Sequence, residues 1–486
     1  MQGASFTLIA QICSFSVQTV GTIILARLLT PHDFGLVTMV LSLSLLLQSI
    51  GVNGFLQVVI QRDEINHGQV STLFWMNAGV SGVLMLVFIA IAPLIVWFYK
   101  EPAIKHIIWI MSFTIPIGNL ATQHQALLFR NMQFFRAAVC EIISSICSLG
   151  ISIVLAFQGF GYWALVIKWL TAPIILSATL WFACRWRPSL PSKDAAGSIS
   201  MLKFAFSTYG TWCLGYMGKS IDKILIGRFL GSQPLGHYDR AYHLSLMLPN
   251  QLVSPLTNVA MATLSRLSQD EEKLRSTYLS ILSTIAFVGV PLSAVLTLVG
   301  KDLIVLLLGS HWQKAGELFT AFGFSIAVFM LYMTHGWIHL SLGTPHRWLK
   351  WSVIALMVKA SFIIGGLQFG ITGVAIAYTA SYYLLMGPGL IYAGMPMGLR
   401  LYHILAVTWR YFVAGLVSGL LSWIVVSHVD DRFGVFVQMT TRTTLSLVLS
   451  LSTYLLMVIL LYGSVRPIMR LFDIMREMIP RRSGLL

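Results

Sequence analysis

Long stretches without Asp, Glu, Lys or Arg are the feature that most constrains how this chain folds. The longest of them runs from Ala360 to Leu399. A membrane-spanning helix needs about 20 predominantly apolar residues, so this stretch is too long for one span. The sequence FGITG at residues 369–373 suits a tight turn between two helices. The pattern predicts a polytopic membrane protein.

Composition supports the same interpretation and excludes several classes of protein. Of the 486 residues, 57% are hydrophobic and only 10% are charged, which is not the composition of a soluble globular protein. The net charge is +15, but no nucleic-acid-binding motif accompanies it, so we expect no nucleic-acid partner. The five cysteines form no CxxC motif and no cluster with histidines. We therefore expect no disulfide framework, no metal site and no cofactor.

The apolar stretches predict an all-α fold of about fourteen transmembrane helices. No basic signal-peptide region precedes the first helix, so we expect this helix to be retained rather than cleaved. The eighth predicted helix contains several polar residues within its apolar run, and a protein-lined cavity would accept these residues whereas lipid would not. The expected spans are residues 4–26, 34–56, 73–98, 106–128, 137–157, 162–184, 204–227, 243–265, 278–300, 318–341, 351–369, 371–392, 402–428 and 443–463.

The distribution of Lys and Arg among the loops predicts the orientation of the chain. With the N-terminus inside, the cytoplasmic loops and tail hold 18 of these residues and the opposite face holds 9. The positive-inside rule therefore places both termini in the cytoplasm. The longest loop, residues 185–203, is too short to contain a catalytic domain, so we expect the protein not to be an enzyme.

A short sequence motif occurs twice. ARLLTPHDFG at residues 26–35 ends the first helix, and GRFLGSQPLG at residues 227–236 ends the seventh, with matching residues 201 positions apart. An even number of spans separates the copies, which predicts two parallel six-helix lobes of a transporter. The expected divisions are an N-lobe at 1–200, a C-lobe at 201–395, helices 13 and 14 at 396–465, and a basic cytoplasmic tail at 466–486. A chance match between two helix ends is the alternative.

The predicted spans contain more basic than acidic residues. Ionisable side chains within a membrane usually face a cavity or a partner, so this excess favours an anionic substrate. The alternative is that residues near helix ends extend their charged groups to the headgroups, which applies best to Lys223 and Arg410. The in-span basic residues are Lys168, Lys219, Lys223, Lys359 and Arg410, and the in-span carboxylates are Glu141 and Asp222.

The seventh helix carries a candidate substrate-binding face. Tyr209, Trp212, Tyr216, Lys219 and Lys223 follow one another at intervals of three and four residues, which places them on one side of a helix. Cations could hold phosphate oxygens and aromatic rings could stack on sugars. Packing against neighbouring helices is the alternative for the rings.

The two in-span carboxylates admit two roles. Asp222 and Glu141 could couple transport to protons or sodium, but Asp222 lies between two lysines and could equally form an ion pair. Three histidines lie within the predicted spans, at His124, His335 and His339. His335 and His339 are four residues apart, as two metal ligands could be, but no third ligand lies nearby. We therefore expect all three histidines to be core or interfacial residues.

Several longer motifs resemble those of a known family, and they occur in family order. They are IILARLLTPHDFGL, IQRDEIN followed by STLFWMN, ALLFRNMQFFR, GFGYWALV, SIDKILIGRFLG, LGHYDRAYHLSLMLPNQLVSPL, TLSRLSQDEEKLR and LLLGSHWQKAGELF. The chain resembles the Wzx-type polysaccharide flippases of the multidrug/oligosaccharidyl-lipid/polysaccharide exporter superfamily. The most similar branch includes the colanic acid, succinoglycan and teichuronic acid exporters. The motifs cover helices 1 to 10, whereas the later helices match only in hydropathy and length.

The resemblance implies a multi-pass protein of the bacterial inner membrane. Such a protein moves an undecaprenyl-diphosphate-linked oligosaccharide to the periplasmic leaflet by alternating access, for exopolysaccharide or lipopolysaccharide biosynthesis. It implies membrane lipid, the lipid-linked oligosaccharide and the polysaccharide polymerase and export machinery as partners. The position of Lys219 is often Arg in this family, and Lys cannot bind phosphate with the same two-pronged geometry. The main alternative is a multidrug/cation antiporter of the same superfamily. A membrane glycosyltransferase or polymerase is a less favoured alternative.

Overall fold

The computed structural model describes residues 2–61, 64–190, 198–428, 435–467 and 469. Within these ranges, side chains are not described for residues 2–14, 53, 198–201, 204, 207, 208, 211, 214, 219, 255, 258, 259 and 435–437. The chain divides into two compact units, Met1–Gly236 and His237–Leu486.

The regular structure in the described ranges is helical. The first ten helices are α1 (Gln2–Leu28), α2 (Pro31–Gln48), α3 (Gln57–Gln61), α4 (His67–Ala90), α5 (Ala92–Tyr99), α6 (Ile104–Ser112), α7 (Thr114–Asn119), α8 (Thr122–Arg130), α9 (Phe134–Phe157) and α10 (Tyr162–Ala183). The remaining ten are α11 (Ser198–Leu230), α12 (Ser232–Arg266), α13 (Glu271–Leu308), α14 (Gln313–Gly323), α15 (Ile326–Met333), α16 (His335–Ser341), α17 (Pro345–Leu367), α18 (Gly370–Gly394), α19 (Leu401–Ser427) and α20 (Val435–Tyr462).

The helices confirm the all-helical membrane fold. Across the described ranges, nine helices are long and apolar enough to cross a membrane, and a bent pair, Ser310–Gly323 with Ile326–Ser341, makes a tenth. The count of about fourteen spans stays a prediction. The turn predicted within residues 369–373 is confirmed, because α17 ends at Leu367 and α18 begins at Gly370, which has a positive φ of 68°.

Four of the predicted spans are interrupted rather than straight, and the one predicted at residues 318–341 is divided among α14, α15 and α16. A π-helix, Gly51–Leu56, separates α2 from α3, and α4 passes to α5 at Ile91. The span predicted at residues 106–128 consists of three short helices, α6, α7 and α8. π-helical turns are uncommon and frequently occur at functional positions, so the Met1–Gly236 unit contains several points where a helix can change direction.

The two copies of the repeated motif lie against each other at the starts of α2 and α12. A Cβ atom at Gly35 would overlap the carbonyl oxygen of Ser232, and one at Gly236 would overlap the carbonyl oxygen of Pro31. Gly35 and Gly236 are 201 residues apart, as are Pro31 and Ser232. The contact is therefore reciprocal, as expected where two copies of one motif meet about a local two-fold axis.

The His237–Leu486 unit is built around α13. Of the residues in the most apolar segment of α13, 56% are buried, compared with 22% in that of α20. This helix packs against α14, α15, α19 and α20. The hairpin of α17 and α18 is also closely packed, because Gly366 and Gly373 each bring the backbone of one helix against the other. Lys359 lies on α17, and the residues that surround it come from α12, α15 and α18 of the same unit.

Candidate functional site

The aromatic residues predicted on the seventh helix form a stacked column on α11. Trp212 stacks on Tyr216 with ring centroids 4.9 Å apart, and on Tyr209 at 6.4 Å. The Tyr209 hydroxyl donates to the carbonyl oxygen of Leu46 at 2.6 Å, which attaches the column to α2. The three residues therefore share one face, as the spacing predicted. Their proposed role in stacking on sugars stays a prediction.

The charged residues of α11 lie just after the aromatic column. Asp222 is buried, and its carboxylate accepts the backbone N–H of Lys223 at 2.8 Å. Lys223 is half-buried. The side chain of Lys219 lies outside the described residues, so its predicted contact with substrate stays a prediction.

Lys359 lies in a cluster of tyrosines that the sequence did not indicate. Its ammonium donates to the Tyr382 hydroxyl at 3.1 Å and lies 4.3 Å from the centre of that ring. The rings of Tyr332 and Tyr378 are 5.8 Å and 5.9 Å from the same nitrogen. Cation–π contacts of this kind stabilise a positive charge away from water. We call Lys359, Tyr242, Tyr332, Tyr378 and Tyr382 the lysine–tyrosine cluster.

The tyrosine hydroxyls of the cluster are themselves connected. Tyr382 and Tyr378 are 3.0 Å apart between hydroxyl oxygens, and Tyr378 and Tyr242 are 2.9 Å apart. Tyr332 lies outside this series, because its hydroxyl accepts the indole N–H of Trp351 at 2.9 Å. Lys359 therefore stands at one end of a continuous line of three hydroxyl groups.

The other two predicted in-span cations have different surroundings. Arg410, on α19, lies over the ring of Tyr462 at 4.7 Å and that of Trp409 at 5.6 Å. Lys168, on α10, is half-buried, and its backbone carbonyl accepts the Thr171 hydroxyl at 3.3 Å. Arg410 thus has an aromatic environment like that of Lys359, but on the helix pair α19 and α20.

The carboxylates lie in different surroundings. Glu141 is exposed on α9 and accepts the Gln125 amide at 3.0 Å. The sequence interpretation placed Asp239 and Arg240 in a loop, but α12 begins at Ser232, so both lie within a helix. Asp239 is buried and forms an ion pair with Arg240. Asp239 thus lies in a helix although the predicted spans leave it out, and ion coupling through Glu141 or Asp222 stays a prediction.

The in-span histidines lie among aromatic side chains. His124 stacks on Trp181 with ring centroids 4.5 Å apart. His335 is hydrogen-bonded through Nδ1 to the carbonyl oxygen of Tyr332 at 2.5 Å, and His339 through Nδ1 to the Thr344 hydroxyl at 3.2 Å. Within the part of the chain that the structure describes, no group of three or more His, Cys, Asp or Glu side chains could hold a metal ion.

The candidate residues are divided between the two units. Lys168, Lys223, Glu141, Asp222 and the aromatic column belong to Met1–Gly236, whereas Lys359 and Arg410 belong to His237–Leu486. Lys359 and Arg410, in the His237–Leu486 unit, lie next to aromatic rings, which is the combination of groups that can bind a phosphorylated sugar.

Comparison with known proteins identifies the family. A model of a family described as "Polysaccharide biosynthesis protein" matches residues 24–317, which is more than half of the chain. The chain belongs to this polysaccharide biosynthesis family. The family assignment agrees with the resemblance found in the sequence motifs.

Two relatives are identical to this chain at about a quarter of the aligned positions. The teichuronic acid biosynthesis protein TuaB of Bacillus subtilis is 25% identical over 76% of this chain and 77% of its own length. The lipopolysaccharide biosynthesis protein WzxC of Escherichia coli is 24% identical over 65% of this chain and 64% of its own length. The match thus spans less than two thirds of WzxC.

Two solved structures show the same fold at low sequence identity. The lipid II flippase MurJ, in an inward closed conformation, superposes with a TM-score of 0.75 at 15% identity and covers 95% of this chain and 99% of its own. A multidrug resistance MATE family transporter in an inward-facing conformation gives 0.64 at 14% identity, covering 80% of this chain and 98% of its own. The family and its fold are those of membrane transport proteins rather than enzymes, as the sequence predicted.

Proposed function

We propose that this protein flips an undecaprenyl-diphosphate-linked oligosaccharide repeat unit from the cytoplasmic to the periplasmic leaflet of a bacterial inner membrane. The names of its relatives refer to teichuronic acid and lipopolysaccharide biosynthesis. The fold similarity to a lipid II flippase extends over almost the whole chain. Both termini lie in the cytoplasm in this proposal, and a polysaccharide polymerase and the export machinery take up the product.

The observation that carries the proposal is the pairing of membrane-embedded cations with aromatic rings. A charged side chain near the bilayer centre costs about 2.5 to 3.5 kcal/mol on insertion scales, and Lys359 and Arg410 each lie over aromatic rings that offset part of it. The diphosphate of the carrier lipid would offset the rest, because charge-assisted hydrogen bonds to phosphate are among the strongest in proteins. Cations of this kind disfavour a cationic drug as substrate.

The reciprocal contact between Gly35 and Gly236 supports alternating access. The contact joins the start of α2, in the predicted N-lobe, to the start of α12, in the predicted C-lobe. The positive-inside rule predicts that this side faces the periplasm. A transporter that opens to the periplasm must separate this contact and form it again in each cycle. Glycines permit the backbones to meet there without a side chain between them.

The test is flipping by the purified protein in liposomes, with fluorescent undecaprenyl-diphosphate-N-acetylglucosamine as the probe. Wild-type protein should move the probe between leaflets, and Lys359→Ala should reduce the rate by at least about tenfold, which corresponds to about 1.4 kcal/mol. Lys350→Ala is the matched control, because Lys350 is exposed on the same helix. Its rate should stay within about twofold of wild type.

Two outcomes would contradict the proposal. If wild-type protein leaves the probe in its original leaflet, lipid flipping is wrong for this substrate class. If it instead exports a cationic dye, the multidrug/cation antiporter is the better interpretation. If Lys359→Ala and Lys350→Ala both flip the probe at the wild-type rate, the substrate does not depend on Lys359.

A further inference from the structure

The fourth span of each predicted lobe is divided into three short helices. In the N-terminal of the two compact units these are α6, α7 and α8, and Leu120 and Ala121 separate α7 from α8. In the C-terminal unit they are α14, α15 and α16, and Phe324 and Ser325 separate α14 from α15. A helix that breaks inside a membrane needs other groups to satisfy its backbone.

Three side chains from two other helices donate hydrogen bonds to the backbone around the first break. Two of the donors lie four residues apart on α10, and the third lies on α4. Gln48 on α2 donates further back in the span, to the carbonyl oxygen of Thr114 at 3.2 Å. The three bonds nearest the break are Ser177 to the carbonyl of Ile117 at 2.6 Å, Asn77 to that of Asn119 at 3.0 Å and Trp181 to that of Leu120 at 3.1 Å.

The second break has three corresponding bonds in the same order. Two donors lie four residues apart on α18, and the third lies on α13. The bonds are Thr379 to the carbonyl of Ala321 at 3.0 Å, Ser293 to that of Gly323 at 2.5 Å and Tyr383 to that of Phe324 at 2.8 Å. In both units the sixth predicted span of the lobe supplies the outer two donors and the third supplies the middle one. Leu120 and Phe324, which are 204 residues apart, therefore occupy corresponding positions.

The two corresponding breaks differ in their bend. The helices on either side of the second break, Ser310–Gly323 and Ile326–Ser341, are bent by 54° relative to each other. Ile104–Arg130, in contrast, continues through the first break as a single span. The same hydrogen-bonded break is therefore bent in one unit and continuous in the other.

The residues that follow the two breaks also differ. Thr122 and Gln123, which begin α8, are 2% and 0% exposed. Within the part of the chain that the structure describes, the Thr122 hydroxyl and both polar atoms of the Gln123 amide have no hydrogen-bond partner. The corresponding residues after the bent break are the apolar Ile326 and Ala327. Because buried polar groups without partners are costly, the continuous position is disfavoured at the start of α8, and a bend that moves this turn would let both side chains find partners.

The first break also contacts the π-helix of the neighbouring span. A Cβ atom at Gly51 would overlap the side-chain oxygen of Asn119, so the two interruptions touch. A Cβ atom at Gly54, three residues later, would lie 3.1 Å from the carbonyl oxygen of Ala205 on α11. Since α11 carries the aromatic column, close contacts connect the candidate substrate-binding face to the break.

We propose that Leu120 and Ala121 form a hinge, and that transport bends the fourth span there as its counterpart in the C-terminal unit is bent. Hinges of this kind need only a few residues that change their backbone angles. Side-chain donors from α4 and α10 keep the backbone satisfied during the movement, because the same pattern of donors surrounds the bent counterpart. The role of the hinge in flipping rests on the proposed function, whereas the bend itself does not.

The test is the distance between two nitroxide spin labels, measured by double electron–electron resonance on protein in lipid nanodiscs. The labels are attached at Lys105→Cys and Asn131→Cys in a chain whose natural cysteines have been changed to serine. Both positions are exposed, and they lie 26 residues apart across the hinge. A continuous span of this length measures about 39 Å, and a bend of about 54° at the hinge would shorten it by about 4 Å.

We expect two distances that differ by about 4 Å, and we expect unlabelled undecaprenyl-diphosphate-N-acetylglucosamine to change the ratio of the two populations at least about twofold. Phe135→Cys with Phe157→Cys is the control pair, since both positions are exposed on the uninterrupted helix α9. The control pair should give one distance that the lipid does not alter. A single distance for the first pair, with and without the lipid, would overturn the hinge.

Gln123→Leu tests the role of the unpartnered amide. It removes both buried polar atoms at similar volume, so we expect it to raise the unfolding temperature, to remove the shorter distance, and to slow flipping of the fluorescent probe at least about fivefold. A merely damaged protein would lose activity without gaining stability. Gln158→Leu is the matched control, because Gln158 is exposed after α9, and it should flip the probe within about twofold of the wild-type rate.

The distance measurement does not depend on flipping, so failure of the hinge and failure of the proposed function can be told apart. Two distances in a wild-type protein that leaves the probe in its leaflet would support the hinge and contradict the proposed function. Flipping at the wild-type rate by Gln123→Leu, with the shorter distance lost, would overturn the requirement for bending in transport.

Discussion

At the scale of single residues, a buried polar contact holds α4 against the interrupted span that contains α7. The amide nitrogen of Asn119 donates to the Ser81 hydroxyl at 2.7 Å, and that of Asn77 donates to the Asn119 carbonyl at 3.0 Å. All three side chains are buried. Lipid offers no alternative partner for these groups, so each hydrogen bond contributes to keeping the two helices together.

Ser81→Ala should therefore destabilise the protein, because it leaves the Asn119 amide without its acceptor. Interhelical hydrogen bonds in membrane proteins average about 0.6 kcal/mol, with a maximum near 1.7, so we expect a loss of about 1 kcal/mol. The measurement is the unfolding temperature of the protein in detergent. Ser361→Ala is the control, since the exposed Ser361 hydroxyl donates only within its own helix. Equal unfolding temperatures for the two variants would contradict the prediction.

Sequence periodicity predicted contacts within one helix and missed those between helices. The column of Tyr209, Trp212 and Tyr216 could be predicted, because its members lie on one helix at fixed intervals. The lysine–tyrosine cluster could not, because Tyr242 and Tyr332 lie on α12 and α15, far from Lys359 in sequence. Only packing of the helices brings them together, and the spacing of residues along one helix does not show that packing.

At the scale of helices, hydropathy located the apolar segments but not their interruptions. The span predicted at residues 106–128 is broken at Phe113 and Leu120, although its residues remain predominantly apolar. The break between α15 and α16 similarly occurs at Thr334, whose hydroxyl is hydrogen-bonded to that of Tyr278 on α13. Such breaks depend on partners from other helices, so the average hydropathy of a window does not reveal them.

The starts of α2 and α12 give the sharpest prediction at this scale. Gly35→Ala places a methyl group against the Ser232 carbonyl, which is backbone and cannot turn away as a side chain would. If the contact must close during transport, export of surface polysaccharide should fall at least about tenfold, measured in a strain that depends on this protein at matched membrane levels.

Gly79→Ala is the control for that substitution, because nothing lies within 4 Å of a Cβ atom built there. It should leave export unchanged. Gly236→Ala tests the reciprocal half of the contact and should reproduce the loss seen with Gly35→Ala. Normal export from both Gly35→Ala and Gly236→Ala would show that the close approach is not required for transport.

At the scale of the whole molecule, composition alone identified the class of protein, and the motifs identified its family. The all-helical membrane fold is shared with MurJ at only 15% identity, so the pattern of apolar segments specifies this fold through very different side chains. The division into lobes rests on the repeated motif. It stays a prediction, as do the number of spans and the orientation in the membrane.

Orientation can be tested with two exposed glutamines on loops that the positive-inside rule assigns to opposite sides. Gln158 follows α9 and is expected in the periplasm, whereas Gln269 precedes α13 and is expected in the cytoplasm. Each is replaced by cysteine in a chain whose five natural cysteines have been changed to serine, at Cys13, Cys140, Cys147, Cys184 and Cys213. Both are exposed, so accessibility differs only by the side of the membrane.

A membrane-impermeant maleimide added to intact spheroplasts should label Gln158→Cys at least about tenfold more than Gln269→Cys, and lysis should make the two equal. This outcome follows from the distribution of Lys and Arg among the loops, which biases insertion of each helix. The opposite pattern would place the termini in the periplasm and would put the contact of Gly35 with Gly236 on the cytoplasmic side. The glycine contact would then close the cytoplasmic entrance, and the direction of flipping would have to be assigned anew.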